Sequence, residues 1–173
     1  SATQPAALLA NVSGLRAQAA RGEVCVGTID SFLLFKLTGG QLHTTDATNA
    51  ARTMLFDIRK GLWDPLLLDR LGIPPDMLPE VRDTLGDFGQ TDGEAFGVVL
   101  PIRGVAGDQL AAAKGQACVR PSMIKESYGR GCFVVANTGD SKAQSANRMM
   151  SPILSQVQGA RTFALEGAIF MAS

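Results

Sequence analysis

The chain has 173 residues, 46% of them hydrophobic, a size and composition that suit a folded chain with a substantial core rather than a disordered one. Its sixteen basic and sixteen acidic residues cancel, so no electrostatic footprint for nucleic acid is present. No apolar run is long enough to span a bilayer, and Ser1 to Ala10 has neither the basic cluster of a signal peptide nor an initiator Met, which suggests a sequence that begins inside a longer protein.

The first segment places Pro5 where a first helical turn tolerates it, with Leu8, Leu9, Val12 and Leu15 at helical spacing, weakened at Gly14 and stopped at Gly22. A short apolar run, Val24 to Val26, leads to Gly27-Thr28-Ile29-Asp30, where Asp30 is a candidate cap for a helix from Ser31 to Leu37 ended by Gly39-Gly40. Asp46 is a second candidate cap, before a helix from Ala47 to Met54. Trp63 to Leu71 reads as an amphipathic helix between Gly61 and Gly72, and Pro74, Pro75 and Pro79 favour turns after it. Asp83 to Gly97 reads as an exposed loop or hairpin, Val98 to Ala106 as a strand with Pro101 at an edge or bulge, and Gln109 to Cys118 as a helix. Ser127 to Asn137 and Thr162 to Met171 suit strands, punctuated by Gly139 and Gly159. The fold class is therefore α/β, with pieces of two domains meeting near residue 115. Cys25, Cys118 and Cys132 are odd in number and widely spaced, which fits reduced packing thiols better than a disulfide frame or a zinc site.

Three segments can carry chemistry. Gly104-Val105-Ala106-Gly107-Asp108-Gln109 lies at a strand-to-helix junction, where flanking glycines allow close ligand approach and helix amides are free. A carboxylate there either takes a proton from an alcohol attacking phosphorus or caps the helix, and pattern alone favours the cap. Tyr128-Gly129-Arg130-Gly131-Cys132-Phe133 is a glycine turn between strand-like runs; it cradles phosphate oxygens or simply closes a hairpin, and Arg130 either pairs with phosphate or is solvated. Asp46, Asn49 and Thr53 share a helical face and either orient a ligand or loop, or form a buried network. His43, the sole histidine, has no acid or nucleophile fixed beside it, so a Ser/His/Asp hydrolase is not supported.

The strings GTIDSFLLFKLTGG, TTDATNAARTMLFDI, LPEV, GVAGDQLAA, YGRGCF, NTG and ALEGAIFMA follow one another over nearly the whole chain. Together they resemble the glycerol-kinase branch of the FGGY carbohydrate kinases. The resemblance implies a ribonuclease-H-like, actin-like kinase fold, incomplete here. Residues 1–115 would be the C-terminal part of the substrate domain, and residues 116–173 the strand-rich beginning of the nucleotide-binding domain. It implies a cytoplasmic transfer of phosphate from ATP, with Mg²⁺, to glycerol or a related polyol. Asp108 would be the catalytic base and an indirect neighbour of the metal, Asp108 and Gln109 would contact the polyol, and Gly129, Arg130 and Gly131 would approach ATP. Such chemistry rests on positioning and on donors around the transferred group.

Two residues depart from the family pattern. Arg130 stands where Thr is usual, and Val99 where many members carry a basic residue for a regulatory sugar bisphosphate. The N-terminal phosphate loop, the Arg-Glu pair that grips glycerol and the adenine-binding glycine segment are not in this sequence, so the isolated chain is expected to be inactive. A kinase of another sugar, or a degenerate relative that only binds, are the competing readings. Without the N-terminal strands an apolar sheet edge or face is expected to lie uncovered, giving either association, as a homo-oligomer or with another chain, or a marginally stable monomer.

Overall fold

The structure, a computed structural model, describes residues 2–129 and 131–170. Helices α1 (Thr3–Asn11) and α2 (Leu15–Ala20) part at Gly14, and α3 (Ile29–Leu37) follows an irregular segment that hydrogen-bonds to residue 77 through the Val26 amide. Next come β1 (Thr44–Asp46), the short α4 (Ala47–Ala50), the two-residue strands β2 (Phe56–Asp57) and β3 (Leu62–Trp63), and α5 (Pro65–Leu71). A 3₁₀ turn at Pro75–Met77 leads to β4 (Glu80–Arg82), α6 (Gly93–Phe96) and α7 (Asp108–Gly115). The chain ends in β5 (Ile124–Tyr128), β6 (Gly131–Gly139), β7 (Ile153–Val157) and β8 (Ala160–Phe170).

β1 pairs parallel with β4, β2 antiparallel with β3, and the last four strands form an antiparallel sheet in the order β5-β6-β8-β7. Three apolar clusters hold these parts. Leu9, Ala19, Leu55, Leu68, Ile73 and Met77 join the first helices to α5. Leu110 and Ala113 of α7 pack with Val135, Leu154 and Ala164 on the four-stranded sheet. Ala47 and Ala50 of α4 meet Phe56, Ile153 and Phe163. Two of the three clusters thus tie the helical first part to the final sheet.

Some expected elements differ. α4 stops at Ala50 because Thr53 turns its hydroxyl onto the Ala50 carbonyl at 2.7 Å and accepts from the Leu55 amide at 3.1 Å, while Met54 adopts φ +66°. Val98 to Ala106 is not a regular strand. It pairs intermittently with residues 84–91, through bridges at Leu85–Gly104 and Gln90–Pro101, because Pro101 has no amide to donate. The Asp83–Gly97 stretch is accordingly the other arm of an irregular hairpin, and Phe88 within it is fully buried. Cys118 is buried, as a packing thiol should be, whereas Cys25 is exposed.

Candidate active site

The parallel pairing of β1 and β4 sets Asp46 at a strand end, fully buried, with α4 beginning one residue later. Its carboxylate accepts from the Thr48 amide (3.1 Å) and hydroxyl (2.8 Å), the Asn49 amide (3.0 Å) and side chain (2.8 Å), and the Thr84 hydroxyl (2.9 Å). A buried carboxylate needs this many donors, since an unpaired one would be very costly. The network extends outward. Thr48 Oγ1 accepts from the Gly107 amide at 2.8 Å, and Thr84 Oγ1 accepts from the Gln156 amide of β7 at 3.0 Å. Of the expected face, Asp46 and Asn49 come together and Thr53 does not. Asp46 and Asn49 thus belong to a buried network, and it is Thr48, outside the expected face, that ties this network to Gly107, the residue before α7.

α7 begins at Asp108, with Gly107 at the cap position and no side chain closing the first turn. The cap role that pattern favours for Asp108 is therefore not taken. Its register is one residue too late, inside the helix rather than before it. Asp30 differs in the same way: it sits in the first turn of α3, accepting from the Thr28 hydroxyl and, at 2.6 Å, from Thr45, and caps nothing. The exposed Asp108 carboxylate accepts from Gln109 Nε2 at 3.1 Å, and Gln109 Oε1 accepts from Lys125 Nζ at 2.9 Å. The carboxylate is not committed to backbone amides, so its oxygens stay open to a hydroxyl placed against them. Lys125 belongs to the site by geometry, yet sequence gave no signal for it.

Gly129 and Gly131 flank the β5–β6 turn, beyond the paired Tyr128 and Cys132. The Gly129 amide donates to the Gly131 carbonyl at 3.0 Å, so it is spent on the turn and not free for phosphate. An added Cβ at Gly129 would meet nothing within 4 Å. Arg130 lies outside the described residues. His43 is half-buried, and burial holds its imidazole below the ordinary value against the opposing pull of a backbone hydrogen bond at Val26, consistent with a structural role. Among the described residues no three His, Cys, Asp or Glu side chains gather as a metal cage. Mg²⁺ in phosphoryl transfer is held largely by substrate phosphates and water, so an indirect neighbour such as the exposed Asp108 carboxylate needs no cage around it.

Residues 7–115, which carry the Asp46 network and the start of α7, match the N-terminal domain of the FGGY family of carbohydrate kinases. The chain belongs to that family. It is 57% identical over 172 residues to a glycerol kinase of Xanthobacter autotrophicus, covering 99% of this chain and 35% of the relative. It is 56% identical over 170 residues to one of Methylobacterium nodulans, covering 98% and 34%. The chain thus spans about a third of the length of the curated FGGY relatives it matches. The Plasmodium falciparum glycerol kinase solved with ADP superposes with a TM-score of 0.92 at 31% identity, over 98% of this chain and 34% of that one. A xylulose kinase of Rhodospirillum rubrum, at 22% identity and TM-score 0.77 over 96% and 33% of the two chains, shares the fold. The fold is part of the ribonuclease-H-like, actin-like fold of FGGY kinases. No helix among the described residues is long and apolar enough to cross a membrane.

Proposed function

We propose that this chain is part of an ATP-dependent kinase that converts glycerol to glycerol 3-phosphate, and that Asp108 is its catalytic base. The observation that carries the reading is the exposed Asp108 carboxylate at the start of α7, free of cap bonds and held beside the Gln109 amide. Asp108 takes the proton of a terminal hydroxyl as that oxygen attacks phosphorus, and Gln109 orients the polyol through its side-chain amide. ATP with Mg²⁺ supplies the phosphoryl group. The Gly129–Gly131 turn approaches the phosphates by its bare backbone rather than through the Gly129 amide. Residues 1–115 belong to the substrate domain and the rest to the nucleotide domain; the family match ending at 115, with α7, supports that division. The reaction is placed in the cytoplasm.

Asp108→Asn in the whole protein tests the reading. ATP-dependent glycerol phosphorylation should fall by about a hundredfold or more, the range for loss of a general base, with the melting temperature unchanged. Retained turnover removes Asp108 from the role. The isolated 173-residue chain should show no glycerol-dependent ATP consumption, and robust turnover would contradict the placement of essential groups outside it.

A further inference from the structure

β5 inverts the alternation expected of a strand on a core. Ile124 is 62% exposed, while Lys125 beside it is 2% exposed and lies opposite the fully buried Val135. Burying an ammonium is costly unless it is well paired, and the usual partner is a carboxylate. The ion pairs among the described residues do not include Lys125. Its hydrogen bond goes instead to a neutral amide oxygen, Gln109 Oε1, at 2.9 Å.

That choice has a chemical consequence. An ammonium only donates, so the amide atom facing it must be the oxygen, and the nitrogen must then point the other way. The other way is toward Asp108 Oδ2, which accepts from Gln109 Nε2 at 3.1 Å. A flipped amide would set its oxygen against the carboxylate, two acceptors facing each other with nothing to donate. We propose that Lys125 is a positioning residue that fixes which way round the Gln109 amide sits. It thereby presents Nε2–H to Asp108 and leaves the second Nε2 hydrogen for an oxygen of the polyol. Lys125 acts through Gln109 and does not touch substrate. The inference rests on the assignment of Asp108 and Gln109 to the polyol site.

The test uses the whole protein and four variants: Lys125→Met, Gln109→Ala, the two combined, and Gln109→Glu. Lys125→Met keeps an unbranched stem and removes the charge. Its KM for glycerol should rise about tenfold and its kcat fall, with the KM for ATP changed by less than about twofold, as befits misplacement at the polyol alone. Added to Gln109→Ala, Lys125→Met should cost nothing further. A purely structural lysine would instead give a lower melting temperature, equal losses for both substrates and additive losses in the double variant, and that pattern overturns the proposal. Gln109→Glu leaves Lys125 untouched: it gives the ammonium a carboxylate and deprives Asp108 of its donor. The glycerol KM should climb while the KM for ATP holds; an unchanged glycerol KM would show that the amide's donation to Asp108 does not position the polyol, and would overturn the proposal. If the wild-type protein phosphorylates no polyol, the functional reading fails by itself. Crystal structures then judge Lys125 alone: an unchanged Gln109–Asp108 hydrogen bond in Lys125→Met overturns the proposal, and an amide turned away supports it.

Discussion

Asp46 and Asp108 are both aspartates at the start of a helix, and the fold uses them in opposite ways. Asp46 stands one residue before α4 and spends its carboxylate on the Thr48 and Asn49 amides; Asp108 stands one residue inside α7 and leaves its own free of them. A single residue of register separates a structural carboxylate from a chemically available one, and helix boundaries read from sequence are uncertain by more than that. This is why Asp46 was legible as a cap while Asp30 and Asp108 were not. Lys125 was illegible for another reason, because its neighbour Ile124 takes the outward position that a strand pattern would give to the lysine. Thr48 links the two aspartates, donating to Asp46 and accepting from the Gly107 amide. Thr48→Val preserves shape but strands that amide and removes one donor from a buried carboxylate. The expected loss is about 2 kcal/mol of stability by urea unfolding, the usual cost of leaving a buried group unpaired. Thr48→Ser should recover most of it. Equal stability of the Val and Ser variants would show that the hydroxyl does not anchor the loop.

Elements bounded by a stop signal were read well, and those defined by pairing partners were not. α5 ends at Gly72, in the left-handed conformation, as read, but its start read at Trp63 is two residues early. Trp63 belongs to β3, and the Asp64 side chain, which accepts from the Leu66 and Leu67 amides, caps a helix that begins at Pro65. The Val98–Ala106 run has strand composition, but a strand also needs a continuous ladder, and Pro101 interrupts it. The final sheet was legible in part: most of β6 and β8 fall within the runs read as strands, whereas β5 begins before Ser127 and β7 was not read, although the β7–β8 hairpin closes on a glycine. Gln158 and Gly159 have φ of +51° and +75°, the pattern of a tight turn matched to strand twist. Gly139 has φ +73° as well, and an added Cβ would lie 3.0 Å from Pro121 Cγ, whereas one at Gly159 would meet nothing within 4 Å. Next to it, Asn137 accepts from the Gly139 amide at 2.9 Å and donates to the Cys118 carbonyl at 3.2 Å, so this bulge binds β6 to the loop after α7. Gly159→Ala should therefore report backbone strain alone, about 1 kcal/mol, and Gly139→Ala clearly more. Thermal melts of the two variants in the whole protein decide it, and equal shifts would mean that Pro121 moves aside without cost.

At the scale of the whole molecule, the helical part and the final sheet are joined by both apolar and polar contacts. Arg52 donates to Glu166 of β8, which is 4% exposed, and Gln156 reaches Asp83 at 2.9 Å while its amide meets Thr84. Helix α3 is covered on one side only by the described residues. α3 turns Asp30, Ser31 and Leu34 inward and exposes Ile29, Phe32, Leu33 and Phe35, between 41% and 69% each. That is the reverse of the helix face water selects, since a soluble helix normally shows its polar residues outward. Single exposed apolar residues are ordinary, but four on one short helix form a contiguous patch of the kind that marks an interface. Composition could not show this, because α3 reads simply as an apolar helix and sequence does not say which face the rest of the fold will cover. The isolated chain is therefore expected to associate. Its sedimentation coefficient should rise with concentration, and it should bind a hydrophobic dye. Phe32→Glu with Phe35→Glu should suppress both while leaving the secondary structure intact, because neither side chain is buried in the core. A wild-type chain that sediments as a compact monomer at all concentrations and leaves the dye unbound would show that this patch does not drive association.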